Sequence, residues 1–306
     1  MRGVACPTCD GTATRQLWLG TELPSVNGTK ITNLNLWRCL ECRTIFVFPL
    51  LTEAESQRYY PKDYYQVRHP IFDLILKLVL MSHPLHRPSS WLNKRLLKVH
   101  HGMNILEVGC GAGNNLASYQ MMGGSCVGIE PNPRLASLTR KRLGVTVYSS
   151  LTELLNRNHV RFDLVILNHS LEHIANPRAA LTSLRPLLSH EGRLYVEVPT
   201  LDALEFSIFK KYWDDLQFPV HLTMCTDIGW SLLLSKAGFF PISIVHRTLW
   251  ESVMRSVHAS TRASSLRHTS LLVPWLAIAA LVQAMLAFGR ITLGRGAAVV
   301  IVARPA

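Results

Sequence analysis

From Met103 onward the chain alternates short apolar runs with stretches of helical spacing. The runs are Asn104 to Val108, Ser125 to Glu130, Val145 to Tyr148, Asp163 to Leu167 and Arg193 to Val198. Brief apolar runs separated by helix-length segments predict strands of a mostly parallel sheet, buried on both faces and flanked by helices. Ser243 to His246 reads as a weaker sixth strand, and AAVVIVA, from Ala297 to Ala303, as a last buried one. The fold class expected is therefore α/β. No internal repeat or low-complexity segment stands out.

The ends of the chain follow other patterns. Residues 1–45 contain two CxxC pairs, separated by a turn-rich segment with Pro24, Asn27 and Gly28, and few residues able to build a core. So short a unit is expected to need a metal to fold. Residues 46–100 read as helical connectors or a cap. There Thr52 followed by Glu55 matches a capping box, and Ile71 to Met81 forms an apolar run before a turn rich in Pro and His. The core is placed at 101–250. A basic tail, 251–306, carries the uncharged stretch Leu271 to Phe288 and the final strand at 297–303.

Composition sharpens this picture in two respects. The 306 residues carry a formal charge of +12, which favours anionic surroundings without choosing among a phosphate-bearing substrate, an acidic lipid surface and nucleic acid. Seven cysteines divide into Cys6, Cys9, Cys39 and Cys42 in the CxxC pairs and three scattered thiols. An odd total argues against a secreted disulfide framework, whereas four paired thiolates suit a closed tetrahedral zinc site of structural type. Met1 to Cys9 has no apolar core of the kind a signal peptide needs, so a cytoplasmic location is expected.

The densest motif is LEVGCGAGNNL. It ends a strand at Leu106 and places Gly109, Gly111 and Gly113 at alternate positions. Glycines there let the backbone turn tightly and approach a ligand, while the following helix presents its amino end. The third glycine falls one residue short of a dinucleotide GxGxxG fingerprint. Glu107 precedes the loop, and Glu130 stands about 20 residues on, where a ribose-binding acid is expected.

These residues, together with FDLVILNHSLEHI and LLSHEGRLYVEVP, resemble the class I S-adenosylmethionine-dependent methyltransferases, and the whole chain looks like bacterial members with an amino-terminal zinc ribbon. The resemblance implies a Rossmann-like sheet with helices on both faces. It also implies that Glu107, Gly109, Gly111 and Gly113 bind the donor with Asn168 nearby, and that Glu130 holds the ribose hydroxyls. Many relatives carry an acid after the third strand to hold the adenine amine; here Ser149 and Ser150 stand instead.

Asn168, His169, Glu172 and His173 arrive together after the fourth strand, and His221 follows the fifth. If a helix begins there, positions 169, 172 and 173 share one face. Three readings remain open. A histidine, His221 or His169, acts as general base for a hydroxyl acceptor. Alternatively His169, Glu172, His173 and His221 bind a second, divalent metal, a layout similar to that of small-RNA ribose methyltransferases and, in part, ubiquinone-pathway O-methyltransferases, except that His169 replaces a glutamate. In the third reading Glu172 and His173 only cap and stabilise the helix.

The expected reaction is methyl transfer to a hydroxyl or carbon of a small-molecule, saccharide or lipid-linked glycan acceptor. A metal-dependent RNA ribose 2′-O-methyltransferase and a non-catalytic donor-binding scaffold are the alternatives. Nucleic acid is disfavoured as a partner, since the CxxC unit interleaves few basic and aromatic residues. After Glu251 the tail holds Arg255, Arg262, Arg267, Arg290, Arg295 and Arg304 and no acid, which fits either peripheral contact with an anionic membrane surface or packing of 271–288 on the core or a partner. The oligomeric state is left open.

Overall fold

The computed structural model describes residues 4–25, 30–60, 97–157, 160–247, 252–253, 256, 260 and 296–306. The stretch Leu271 to Phe288, the run Ile71 to Met81 and every tail arginine except Arg304 lie outside the described residues. Among the described residues, no helix is long and apolar enough to cross a membrane.

Two sheets organise the chain. The smaller contains β1 (Thr14–Leu19), β2 (Asn35–Cys39) and β3 (Ile45–Phe48), with successive antiparallel pairings. The larger is built from β4 (Asn104–Val108), β5 (Ser125–Ile129), β6 (Thr146–Tyr148), β7 (Phe162–Asn168) and β8 (Leu188–Pro199). The short strand β9 (Thr223–Met224) returns to the smaller sheet, while β10 (Phe239–Arg247) and β11 (Ala298–Pro305) complete the larger one. The seven strands run in the order β10-β11-β8-β7-β4-β5-β6. Pairing is parallel from β6 to β8, and β11 inserts antiparallel between β8 and β10. The mixed α/β class and Rossmann-like sheet expected from the sequence are therefore present.

The order reverses about β4, which has β5 on one side and β7 on the other. In open α/β sheets such a reversal leaves a crevice beyond the carboxyl ends of the strands, where ligands bind. The reversal thus puts Glu107, near the end of β4, beside Asn168, at the end of β7.

Local chemistry sets the element ends. The Thr52 side chain accepts from the Glu55 amide and Glu55 answers to the Thr52 amide, forming the expected capping box on the helix Glu53–Gln57. Asn132 caps Pro133–Leu143, with Pro at the first turn and Gly144 in the left-handed region at its end. Thr226 caps Asp227–Lys236. One expectation changes: no α-helix begins at His169. Leu171–His173 form a single 3-10 turn, and the helix begins at Pro177 behind its own cap, Asn176. Proline at the first helical position and an asparagine side chain accepting from the Ala179 amide fix the start there. Glu172 and His173 are thereby freed from capping.

Both faces of the large sheet are filled. One core packs Leu106, Phe162, Val165, Leu167, Leu181 and Trp230, and the other Ile105, Leu116, Tyr119, Ile166, Tyr195 and Val300. A third core lies under the small sheet, joining Leu34, Leu36, Ile45 and Val47 to Trp213, Leu216, Phe218, Leu222 and Met224. The amino-terminal unit therefore shares its core with the segment that follows β8. Trp230 is fully buried and its indole N–H donates to the Pro199 carbonyl at 2.9 Å. Trp230→Ala removes a large core side chain and its hydrogen bond to that carbonyl; it is expected to cost ~3–5 kcal/mol, read from urea unfolding.

Candidate active site

The loop after β4 is shaped by three glycines with positive φ: Gly109 (75°), Gly111 (54°) and Gly113 (75°). A side chain at Gly109 would meet Ser170 Cβ at 2.8 Å, whereas one at Gly111 would project into open space. Gly113 forms the N-cap of the helix Asn114–Met121, which points its amino end at the crevice. A side chain at Gly113 would meet Thr139 Cγ2 at 2.6 Å, so glycine keeps the loop close to its neighbours while Gly111 borders open space.

Glu107 is 2% exposed. Its Oε1 accepts from Asn115 Nδ2 at 2.8 Å, and its Oε2 is buried without a hydrogen-bond partner. Burial pushes its carboxyl up to about 8, against the opposing Asn115 hydrogen bond. A buried orphan oxygen of this kind suits a cationic or hydrogen-bonding group on a ligand. Asn168 Oδ1 and Ser170 Oγ, at the end of β7 and just beyond it, are likewise buried without partners. Glu130 is differently placed. Its Oε2 accepts from the Gly111 amide and its Oε1 from the Asn132 amide, both at 2.8 Å, so it braces the loop. Ser149 and Ser150 are engaged with Glu153 at the start of the next helix.

The second half of the site lies beyond β7. His169 adopts a left-handed conformation (φ 48°), an unusual state for a histidine and one that marks a constrained position. Its Nδ1 lies 3.5 Å from Glu172 Oε1 and its Nε2 3.5 Å from Glu197 Oε1. Burial acts to lower its pKa, but the two carboxylates prevail and raise it to about 10. It is therefore an imidazolium between two anions, a state unsuited to taking a proton.

Glu172 is wholly buried with neither oxygen in a hydrogen bond. Burial would raise its pKa, yet the field of His169, His173 and His221 holds it down, to about 2. His221 Nε2 lies 3.9 Å away. On the opposite edge of that ring, Nδ1 is 2.6 Å from the Asp215 carbonyl. A carbonyl only accepts, so Nδ1 carries the proton and Nε2 keeps a free lone pair. Burial, then the neighbouring His173, lower the His221 pKa to about 3, so the ring is neutral. His173 stands edge-on to it with ring centres 4.5 Å apart.

Four participants were not singled out from the sequence. Tyr60, within the connector, places its hydroxyl 2.8 Å from His173 Nδ1. Glu197, on β8, lies between Arg247 Nη1, 2.6 Å from each carboxylate oxygen, and the Tyr195 hydroxyl, which donates at 2.7 Å. The only sequence signal for Glu197 was an acid inside the apolar run LYVEVP; Tyr60, Tyr195 and Arg247 gave none.

The four cysteines of the CxxC pairs converge. Cys6 and Cys42 sulfurs are 3.6 Å apart, those of Cys9 and Cys39 3.5 Å, and all four lie within 4.8 Å of one another. Zinc bonded to sulfur at ~2.3 Å would set a tetrahedron edge of roughly 3.8 Å, so the spacing fits a closed thiolate site. Glu172, His173 and His221 form a second group of possible ligands with the same mutual reach.

A profile for the methyltransferase domain matches residues 80–244, more than half of the chain. A ubiquinone biosynthesis O-methyltransferase of Cereibacter sphaeroides is 34% identical over 96 residues, covering 30% of this chain and 39% of the relative. The mitochondrial rat enzyme of the same name is 33% identical over 105 residues, covering 31% and 30%. The matches thus span less than half of the length of these curated relatives. Among solved structures, the 1,6-didemethyltoxoflavin-N1-methyltransferase of Burkholderia thailandensis, with bound S-adenosylhomocysteine, superposes with a TM-score of 0.50 at 17% identity. That superposition covers 87% of this chain and 97% of the other, a likeness of fold. With the domain match spanning the glycine cradle, the crevice of the seven-stranded sheet and the histidine cluster beyond β7, the chain belongs to the class I S-adenosylmethionine-dependent methyltransferases.

Proposed function

We propose that this methyltransferase acts on a hydroxyl or carbon of a small-molecule acceptor, such as a saccharide or lipid-linked glycan, with His221 as general base. The observation that carries the reading is the tautomer of His221. The Asp215 carbonyl fixes the proton on Nδ1, and the free Nε2 lies on the Glu172 side of the ring, 3.9 Å from that buried carboxylate. S-adenosylmethionine supplies an electrophilic methyl group on a sulfonium. The protein need only align the acceptor and remove its proton. Glu172 is placed to stabilise the imidazolium formed when His221 takes that proton. His169, already cationic, holds Glu172 ionised. The relatives named as O-methyltransferases support a hydroxyl acceptor.

On the donor side we assign the methionine end of the donor to Glu107, Gly109, Gly111 and Gly113, with Asn168 beside them, and the ribose to Glu130. The four thiols are assigned a structural zinc ion. A second reading, a divalent metal held by Glu172, His173 and His221 to orient the acceptor, is favoured by the unpartnered oxygens of Glu172.

Gly109→Arg is expected to abolish donor-product binding in calorimetry, because its side chain enters the cradle against Ser170. His221→Ala should leave that binding intact and slow turnover by ~10²–10⁴-fold, the usual worth of a general base. Unchanged turnover in this variant would remove His221 from the reaction. The metal reading instead requires that a metal chelator too weak to strip thiolate zinc stop turnover and that added magnesium or manganese restore it. Acceptors are found by incubating cell glycans and metabolites with the chain and labelled donor and identifying the labelled product by mass spectrometry.

Glu107 gives a pH signature. With its carboxyl near 8 when unliganded, it is mostly protonated at pH 7. The ammonium of the donor lowers that pKa, so binding releases a proton, and affinity rises with pH up to about 8 and then levels off. Calorimetry at pH 7 in buffers of different ionisation enthalpy should show this release in the native chain and its loss in Glu107→Gln. Equal heats across buffers in the native chain would refute the assignment.

A further inference from the structure

The amino-terminal sheet does not end with its own strands. β3 pairs with β9, matching Ile45 to Met224 and Phe46 to Thr223, and the Val47 amide donates to the Leu222 carbonyl at 3.0 Å. The Leu222 amide in turn donates to the Glu172 carbonyl at 2.8 Å. His221 is the residue immediately before Leu222. A path of backbone hydrogen bonds therefore runs from the strand after the second CxxC pair through Leu222, the chain neighbour of His221, to Glu172.

The knuckles themselves press on the same segment. Cys225 follows β9 directly and is fully buried, with its sulfur 3.4 Å from both the Thr8 and Thr44 hydroxyls; Thr44 Oγ1 lies 3.1 Å from Cys42 Sγ. The Thr226 hydroxyl, which caps the next helix, donates to the Cys42 carbonyl at 3.5 Å. Lys236 donates to the Cys9 carbonyl at 2.8 Å and, with Arg178, pairs with Asp10. Both knuckles are thus seated on the residues that follow β9 and on the helices Pro177–Leu184 and Asp227–Lys236. The donor cradle hangs elsewhere: Gly109 and Cys110 donate to the Ile129 carbonyl, and Glu130 to Tyr148, on β5 and β6.

We infer that the four-thiol site is a control point for the acceptor half of the active site alone: occupied by metal, it holds β3 against β9 and so keeps His221 and Glu172 in register. The thiols cannot stay clustered as anions without a cation between them. When metal leaves, the knuckle opens, β9 loses its partner strand and His221 loses its fixed contact with Asp215. The donor cradle, built on β4 and β5, keeps its shape. Metal loss then gives a chain that binds donor but does not transfer methyl. The inference rests on the zinc and His221 assignments proposed above.

The test uses the full chain with zinc counted by atomic emission, before and after treatment with a strong thiolate-competing chelator. Three quantities are followed: S-adenosylhomocysteine affinity by calorimetry, the His221 Nδ1 proton by NMR, assigned through its absence in His221→Ala, and turnover at saturating donor. One zinc per chain is expected. Its removal should abolish the His221 resonance and lower turnover by ~10²-fold, the effect of displacing a reacting group by ~1 Å, with donor-product affinity unchanged and recovery on adding zinc alone. A chain that carries no zinc overturns the metal site itself. Zinc that leaves without altering the His221 resonance overturns the coupling while sparing the assignment of His221. Parallel loss of donor-product affinity shows a general support of the fold and also overturns the inference.

Discussion

A carboxylate taken out of water must find a positive partner or give up its charge. This chain buries two at the switch point of its sheet without a full set of hydrogen bonds: Glu107 near the end of β4 and Glu172 beyond β7. They answer the problem in opposite ways. Glu107, with a single amide donor, is driven toward its neutral form, and a cationic ligand relieves that strain. Glu172 stays ionised because three histidines surround it, one already an imidazolium. In the proposed reading, a donor that brings its own positive charge is held on the Glu107 side and the acceptor's proton is received on the other.

A second layer surrounds this cluster. Glu197 and Glu172 together keep His169 protonated, and Glu197 is kept ionised against burial by His169 first, then by Arg247 and Tyr195. Arg247 comes from β10, the edge strand, and reaches Glu197 on β8 past the intervening β11. The antiparallel insertion of β11 is thus more than closure of the sheet: it sets the distance across which this cation arrives. His221 receives its orientation from a different quarter, the loop tied to the amino-terminal sheet.

What was legible in the sequence was what local pattern encodes. The strands emerged from their apolar runs, and the cradle from the glycine spacing, because a positive φ at Gly109, Gly111 and Gly113 is a demand on single residues. The convergence of the CxxC pairs followed from thiol chemistry. The spacing of His169, Glu172 and His173 would suit a helical face if a helix began there, but Pro177 and Asn176 place the start later. Tyr60, Arg247 and the pairing of β3 with β9 depend on contacts between segments far apart in the chain, which no local periodicity records. For the same reason His169 looked like a base: only the flanking carboxylates, one of them 28 residues away in sequence, reveal it as a cation.

The central claim is that the donor sits between the two halves of this crevice, its ammonium on Glu107 and its reacting end toward His221. A crystal structure with S-adenosylhomocysteine bound tests it most directly. The account requires the ligand's ammonium within hydrogen-bond distance of Glu107 Oε2 and its sulfur on the side of the crevice facing His221 Nε2. Density for the ligand elsewhere, or in the cradle with its ammonium turned away from Glu107, would contradict it.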